Sequence, residues 1–466
     1  MSTHPNTTSS SPIKALPPKV NGWPVWGSFP DFHRQGIDFL LESRATYGDI
    51  YRFDLVGTEV TVLGHPDYTQ HVLRDNGRNY RSKGAGRAFR ASSLLLLGDS
   101  VVATADQVLW RQQRRAIQPY FNHNYLLGLT DLMVEVMDVE MAAWDSMESK
   151  PVDMQPELTR MAIKGITKSL CGMEVTSQEA QQISQAIDDT LGYMWLGMIA
   201  NTFPKGFPFP GQRGYEERIK GLDDLVLQLV KRRRQKNDDR EDLMSMLLRM
   251  QRAEGEDKIS LAQVRDEVVT MLVATCESLS ASLGFLFHHL SQQPAIMHTL
   301  RAEVDSVLGK RSPTFADVPK LKYARMVMQE ALRIAAPAYW IQRMAKEEDE
   351  IGGFHIPAGS IVVSIIHLIH HHPEIWPHPD RFEPERFLPE RSKTRHKLAW
   401  IPFGTGQRLC TGQDYTLMYG QLLLAQLFQR YNLTAVPNRS AGIHLTTGLK
   451  VNDGVWVTLE KREIRD

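Results

Sequence analysis

Three cysteines, Cys171, Cys276 and Cys410, are all that 466 residues contain. They are odd in number and widely scattered, which excludes a disulfide framework and offers no zinc-ligand spacing. A reducing compartment suits such a chain, and a cytoplasmic protein is expected. Net charge is missing too, since 54 Lys and Arg residues balance 54 Asp and Glu. No global field gathers nucleic acid, and none is expected as a partner. The one basic run, Lys231 to Arg234, precedes Asp238, Asp239, Glu241 and Asp242 and reads as a solvated helix end. No stretch reaches the roughly 18 consecutive apolar residues of a membrane span. The first 20 residues are polar and broken by proline, without the apolar segment of a signal peptide. A flexible tail over 1–20 is expected, followed by a single domain over 21–466 with no internal repeat.

The segment "DIYRFDLVGTEVTVLGHP" alternates and turns at Gly57, which predicts a β-hairpin. Helical periodicity dominates afterwards. "DQVLWRQQRRAIQPYF" predicts one helix, and most of Thr130 to Glu256 predicts several more. "NTFPKGFPFPGQRG" interrupts them as an apolar lid, a membrane-touching tip or a plain connection. The longest helix is expected from Ser260 to about Gln293, with Ser260 and Gln263 as a capping box and Pro294 beyond its end. At about 1.5 Å per residue it spans roughly 50 Å, enough to cross a whole domain. Its apolar middle carries Glu277, and a buried acid is either paired or there for chemistry. A later helix, "YARMVMQEALRIAAP", places Glu330 and Arg333 one turn apart on one face. Strands are expected near "YWIQRMA" and "GSIVVSI". The proline-dense "HHHPEIWPHPDRFEPERF" is expected to be irregular.

The most informative stretch is "FGTGQRLCTG", Phe403 to Gly412. Gly404 and Gly406 permit a tight turn or a close approach to a large flat group. Arg408 sets a cation two residues before the Cys410 sulfur. This loop, Glu330-x-x-Arg333 about 80 residues earlier, and "FEPERF" between them occur in one order. Together they resemble the cytochrome P-450 family of haem-thiolate monooxygenases, of the soluble bacterial type. The resemblance covers nearly everything after the tail. The loop matches Phe-Gly-x-Gly-x-Arg-x-Cys-x-Gly at each fixed position.

The resemblance implies a mainly α fold with small β-sheets, a triangular prism of helices around a buried haem b. Cys410 is then the metal ligand. A thiolate in that place pushes electron density onto the iron and favours O–O cleavage. Phe403 packs on the ligand side, and the loop supplies hydrogen bonds to the sulfur. Trp110 and Arg114, at i and i+4, match Trp-x-x-x-Arg, and with Arg343 and Arg408 they are expected around the haem propionates. Glu330, Arg333 and Arg386 form a structural network. His370 falls where the family often has a histidine. The histidines at 367, 370, 371, 372 and 378 have no clean ligand spacing, and no separate metal site is expected there.

The long helix departs from the family pattern. It reads Ala274-Thr275-Cys276-Glu277-Ser278-Leu279 where Ala/Gly-Gly-x-Asp/Glu-Thr-Thr is usual. The acid is kept, a serine replaces the first threonine, and Thr275 replaces glycine. In the family the acid and alcohol organise water for proton delivery, so Glu277 and Ser278 are expected to be catalytic. Thr275 lies three residues before Ser278 and is a second source of the hydroxyl. The implied reaction hydroxylates or epoxidises an apolar small molecule with dioxygen. The alternatives are a haem-thiolate enzyme without net oxygen insertion, such as a phenol-coupling or peroxide-driven one, and a non-enzymatic haem sensor. The chain ends soon after the expected terminal strands, so electrons are expected from a separate ferredoxin or flavodoxin-type reductase system. Arg111 and Arg115 are candidates to face it, and a monomer is expected. Substrate contacts are expected from 89–97, 193–209, the long helix, 338–341 and 447–449.

Overall fold

A computed structural model of the protein describes residues 15–82, 96–200, 211–236, 240–255, 258–439, 442–445 and 447–462. Side chains are described for all of these except 81, 82 and 194–200. Most of the expected tail, the "NTFPKGFPFP" segment and residues 89–95 therefore lie outside the described residues. The last tail residues are held: the Arg52 amide donates to Pro18 O at 2.8 Å and the His355 amide to Ala15 O at 3.0 Å.

The predicted hairpin forms, with Ile50–Leu55 antiparallel to Thr58–Leu63. Val56 and Gly57 between them both take positive φ, 51° and 77°, as a two-residue hairpin turn of matching twist requires. Ile361–Ile365 adds parallel to the second strand, Trp340–Ala345 antiparallel to that, and Tyr80–Ser82 at the edge. Both predicted later strands thus belong to one five-stranded sheet.

Helices make most of the rest, with one three-stranded and two two-stranded sheets among the described residues. The longest helix runs Leu261–Ser291 without a break. Its capping box is present, the Gln263 amide donating to Ser260 Oγ at 3.1 Å and the Ser260 amide to Gln263 Oε1 at 2.8 Å. Length and composition would let this helix cross a membrane, yet 78% of its most apolar window is buried inside the protein. It is a core helix. It packs on Met154–Cys171, while Lys322–Ile334 packs on Gln413–Arg430. Trp144, Trp376, Tyr339 and Tyr419 are wholly buried.

The basic run ends the helix Gln212–Gln235, with Lys231, Arg232 and Arg234 exposed as expected. Arg233 departs from that reading. It turns inward, where its Nη2 donates to buried Asp242 at 3.0 Å. An acid downstream of the helix draws it in, because a buried carboxylate needs a partner.

Candidate active site

The cysteine loop is built by its glycines. Gly404 and Gly406 both adopt φ of 73°. A Cβ on Gly406 would sit 2.3 Å from Leu73 O, so no larger residue fits against the π-turn His71–Asp75. The Cys410 amide donates to Phe403 O at 3.0 Å and closes the loop. Phe403 is partly buried, its ring edge-on to Trp400 at 6.0 Å. The Cys410 side chain is exposed, although it lies deep within the protein mass. Both hold if the sulfur faces an internal space. Burial pushes the thiol pKa up, while the Gly412 amide and the Arg114 guanidinium pull it down by favouring the thiolate.

Four sequence-predicted residues converge beside the sulfur. Trp110 and Arg114 share the helix Gln107–Ile117, whose N-cap Asp106 accepts from the Val108 amide at 2.7 Å. Arg408 stacks its guanidinium 4.0 Å above the Trp110 ring. Arg114 Nη1 donates to Leu409 O at 2.8 Å, and Arg343 Nη1 donates to Gln342 O at 2.7 Å. Burial lowers the Arg343 pKa to about 10, and burial together with Arg343 and Arg114 lowers Arg408 to about 10. Among the described residues no carboxylate pairs with Arg114, Arg343 or Arg408, and Arg408 Nη2 is buried without a hydrogen-bond partner. Three guanidiniums gathered without an anion are costly unless an anion joins them. A flat dianionic ligand with its metal above Cys410 meets that need, so the residues fit haem.

The network behind the loop is present. Glu330 accepts from Arg333 Nε at 2.8 Å, from Arg333 Nη2 at 2.9 Å and from the Glu383 amide at 2.9 Å. Arg386 Nε lies 3.3 Å away, and all three side chains are buried. Burial raises the Glu330 pKa, and Arg333, the Glu383 amide and Arg386 oppose the rise. His370 joins this network to the loop. Its Nε2 accepts from the Ile401 amide at 2.9 Å, so Nδ1 carries the proton and donates to Arg333 O at 3.1 Å. The ring is neutral, as burial holding its pKa well below the ordinary value also requires.

In the long helix, Thr275–Leu279 widens to a π-turn, a device frequent at functional sites. Ala274 and Ser278, one turn apart, are exposed in the otherwise buried middle of the helix. Thr275 does not join them. It is buried, and its hydroxyl donates back to Met271 O at 2.8 Å. Glu277 turns to the β-hairpin 443–451: it accepts from Thr447 Oγ1 at 2.9 Å and pairs with Lys450, which also donates to Asp188 at 2.7 Å. Sequence reasoning missed Lys450 and Asp188, because nothing local to them signals a partner at 277. It also missed Glu267, whose carboxyl accepts from the Val101 amide at 2.9 Å and is pushed by burial to about 8. Of the expected substrate contacts, Ala338 is exposed and Trp340 half-buried, but Tyr339 and Leu449 belong to the core. Strand pairing turns Tyr339 inward, and the Leu449 amide is tied to Pro337 O at 2.8 Å.

The family description "Cytochrome P450" matches residues 17–451. The chain belongs to the cytochrome P450 family. Its cofactor is haem b, and it is a P450 monooxygenase. It is 30% identical over 437 residues to cyclooctat-9-en-7-ol 5-monooxygenase of Streptomyces melanosporofaciens, covering 92% of this chain and 93% of that one. Pentalenene oxygenase of Streptomyces avermitilis is 28% identical over 415 residues, covering 89% and 90%. The cytochrome P450DA heme domain superposes with a TM-score of 0.85 at 23% identity, covering 97% of this P450 and 99% of that chain, a likeness of fold.

Proposed function

We propose that this P450 inserts one oxygen atom into a cyclic terpene hydrocarbon or alcohol, using electrons from a separate ferredoxin or flavodoxin-type partner. The bound haem supplies dioxygen activation, and the protein supplies position, shielding and protons. In this reading Cys410 holds the metal and Arg114, Arg343 and Arg408 neutralise the propionates. Ala274, Ser278, Ala338 and Trp340 face the substrate side with no unpaired charge among them. An apolar ligand suits such a wall. Two relatives are named for oxidising cyclooctat-9-en-7-ol and pentalenene, which supports a terpenoid class.

The observation that carries the proton-delivery assignment is the bared Ser278 beside paired Glu277. Ser278 offers a hydroxyl to water on the substrate side, and Glu277 is the adjacent acid on the far side of the π-turn. Thr275, with its hydroxyl bonded to its own helix, is left a packing role. Arg111 and Arg115 are exposed on the helix that carries Trp110 and Arg114, and we assign them to an acidic redox partner. Scattered free thiols suit action in the cytoplasm, as a monomer.

A panel of terpene hydrocarbons, terpene alcohols, fatty acids and flat aromatics tests the substrate class by the haem absorption change on binding. Terpenes are expected to shift the spectrum and to be oxidised with dioxygen and reductant. A shift only with aromatics, or turnover only with peroxide, overturns the reading. For the partner face, Arg111→Glu is expected to slow salt-sensitive reduction, and an unchanged rate counts against it.

A further inference from the structure

His372 is wholly buried, and one of its nitrogens is unexplained. Its Nε2 faces Asp49 Oδ2 at 3.3 Å, while its Nδ1 is buried without a hydrogen-bond partner among the described residues. With Nε2–H donating to the carboxylate, Nδ1 holds a free lone pair, the form in which imidazole ligates a metal. Two further donors stand beside it. His65, just past the strand Thr58–Leu63, and Glu374 each bring a ligand atom, so that one nitrogen of each imidazole and a Glu374 carboxylate oxygen lie within 4.8 Å of one another. The two imidazole rings meet edge-on at 5.0 Å. His65 Nδ1 accepts from the Asp67 backbone amide at 3.3 Å and lies 3.4 Å from Asp67 Oδ2.

We propose that His65, His372 and Glu374 form a second metal site, separate from the haem, that takes a divalent first-row cation such as Zn²⁺. Two imidazoles and one carboxylate suit zinc, with water as a fourth ligand. His372 has its other nitrogen facing a carboxylate, Asp49, the outer arrangement that fixes ring orientation at metal sites. Local charge favours a cation: Glu374, Asp49 and Asp67 face one guanidinium, Arg44, which pairs with Asp49, while His396 Nε2 lies 3.3 Å from Asp67 Oδ1. Tetrahedral zinc at about 2.0–2.2 Å from each ligand sets donors roughly 3.4 Å apart, so from 4.8 Å the cluster must tighten by up to about 1.4 Å. Exposed Glu374 and half-buried His65 have room to move. The ion would pin the end of the strand Thr58–Leu63 to the chain two residues past His370. The histidine tract alone shows no such site, because one imidazole comes from position 65.

Chelator-treated, haem-loaded protein titrated with ZnCl₂ by calorimetry tests this, with zinc K-edge absorption on the product. One equivalent is expected to bind and raise the melting temperature, with two imidazoles in the first shell. His65→Gln and Glu374→Gln, at less buried positions, are expected to keep the haem spectrum and weaken zinc at least about tenfold. Asp49→Asn is expected to weaken it about 10–100-fold. No stoichiometric zinc in the parent protein, or zinc whose affinity ignores both ligand substitutions, overturns the proposal.

Discussion

Replacing Glu330 by glutamine probes the scaffold behind the cysteine loop. The substitution keeps the shape and removes the charge. Arg333, 0% exposed, then loses its anion, and Arg386, 1% exposed, keeps only Glu383 at 3.2 Å. Arg333 keeps an acceptor for only one of its two bonds, at 2.8 and 2.9 Å, because the amide nitrogen cannot accept; a bond to a charged group is worth about 1.5–3 kcal/mol. Breaking one member of a buried ion network typically destabilises by about 3–5 kcal/mol, more than that one bond, because the buried cations also lose their counter-charge. A typical domain is stable by about 5–15 kcal/mol, so the loss is large. It also reaches the loop, because Arg333 Nη1 donates to His370 O at 2.9 Å and His370 accepts from the Ile401 amide. Urea unfolding followed by far-ultraviolet circular dichroism and by haem absorption is the assay. The midpoint is expected to fall steeply and haem to be lost first. Glu241→Gln, at an exposed pair with Arg249, is expected to leave the midpoint unmoved. In combination with Arg333→Met, the loss is expected to fall short of the sum by about 1–3 kcal/mol. Equal midpoints for Glu330→Gln and Glu241→Gln, or full additivity, would refute the reasoning.

Three further outcomes follow. Glu277→Gln is expected to slow dioxygen-dependent turnover at least about tenfold while substrate affinity stays within about twofold, and unaltered turnover removes Glu277 from proton delivery. Burial holds His289 at about 3, His371 at about 4, and His367 and His370 well below the ordinary value. The unfolded chain takes up these protons near pH 6.5 and the folded one does not. Stability is therefore full above about 6.5 and falls with pH by about 1.4 kcal/mol per unit for each such histidine. His371→Gln is expected to flatten the slope between about pH 6 and 4 by one proton, and an unchanged slope contradicts the neutral ring. Glu267 shows the opposite sign. Its folded pKa of about 8 gives a stabilising contribution present below about 4.5 and lost as pH rises through about 8. Glu267→Gln is expected to gain stability over the parent from pH 5 to 9, measured as the difference in urea midpoints.

Much of this was legible because it is local. The capping box at Ser260, the hairpin turn at Gly57, the Trp110–Arg114 spacing and the Glu330–Arg333 pair each lie within about one turn of chain, where sequence spacing sets geometry. What stayed hidden depends on distant chain crossings. Lys450 reaches Glu277 from the terminal hairpin, and Asp242 captures Arg233. Leu73 O fills the space that forbids a side chain at 406. Thr275 and Ser278 could not be separated by counting either, because the π-turn between them breaks the regular helical period.

The central claim is that the Cys410 thiolate holds the haem iron, and the absorption spectrum of the reduced carbonyl complex tests it most directly. Freshly reconstituted parent protein is expected to show the thiolate-type Soret band, and Cys410→Ser to lose it while keeping the far-ultraviolet dichroism of the fold. An imidazole-type band in the undenatured parent, or a thiolate-type band that survives in Cys410→Ser, would contradict the account.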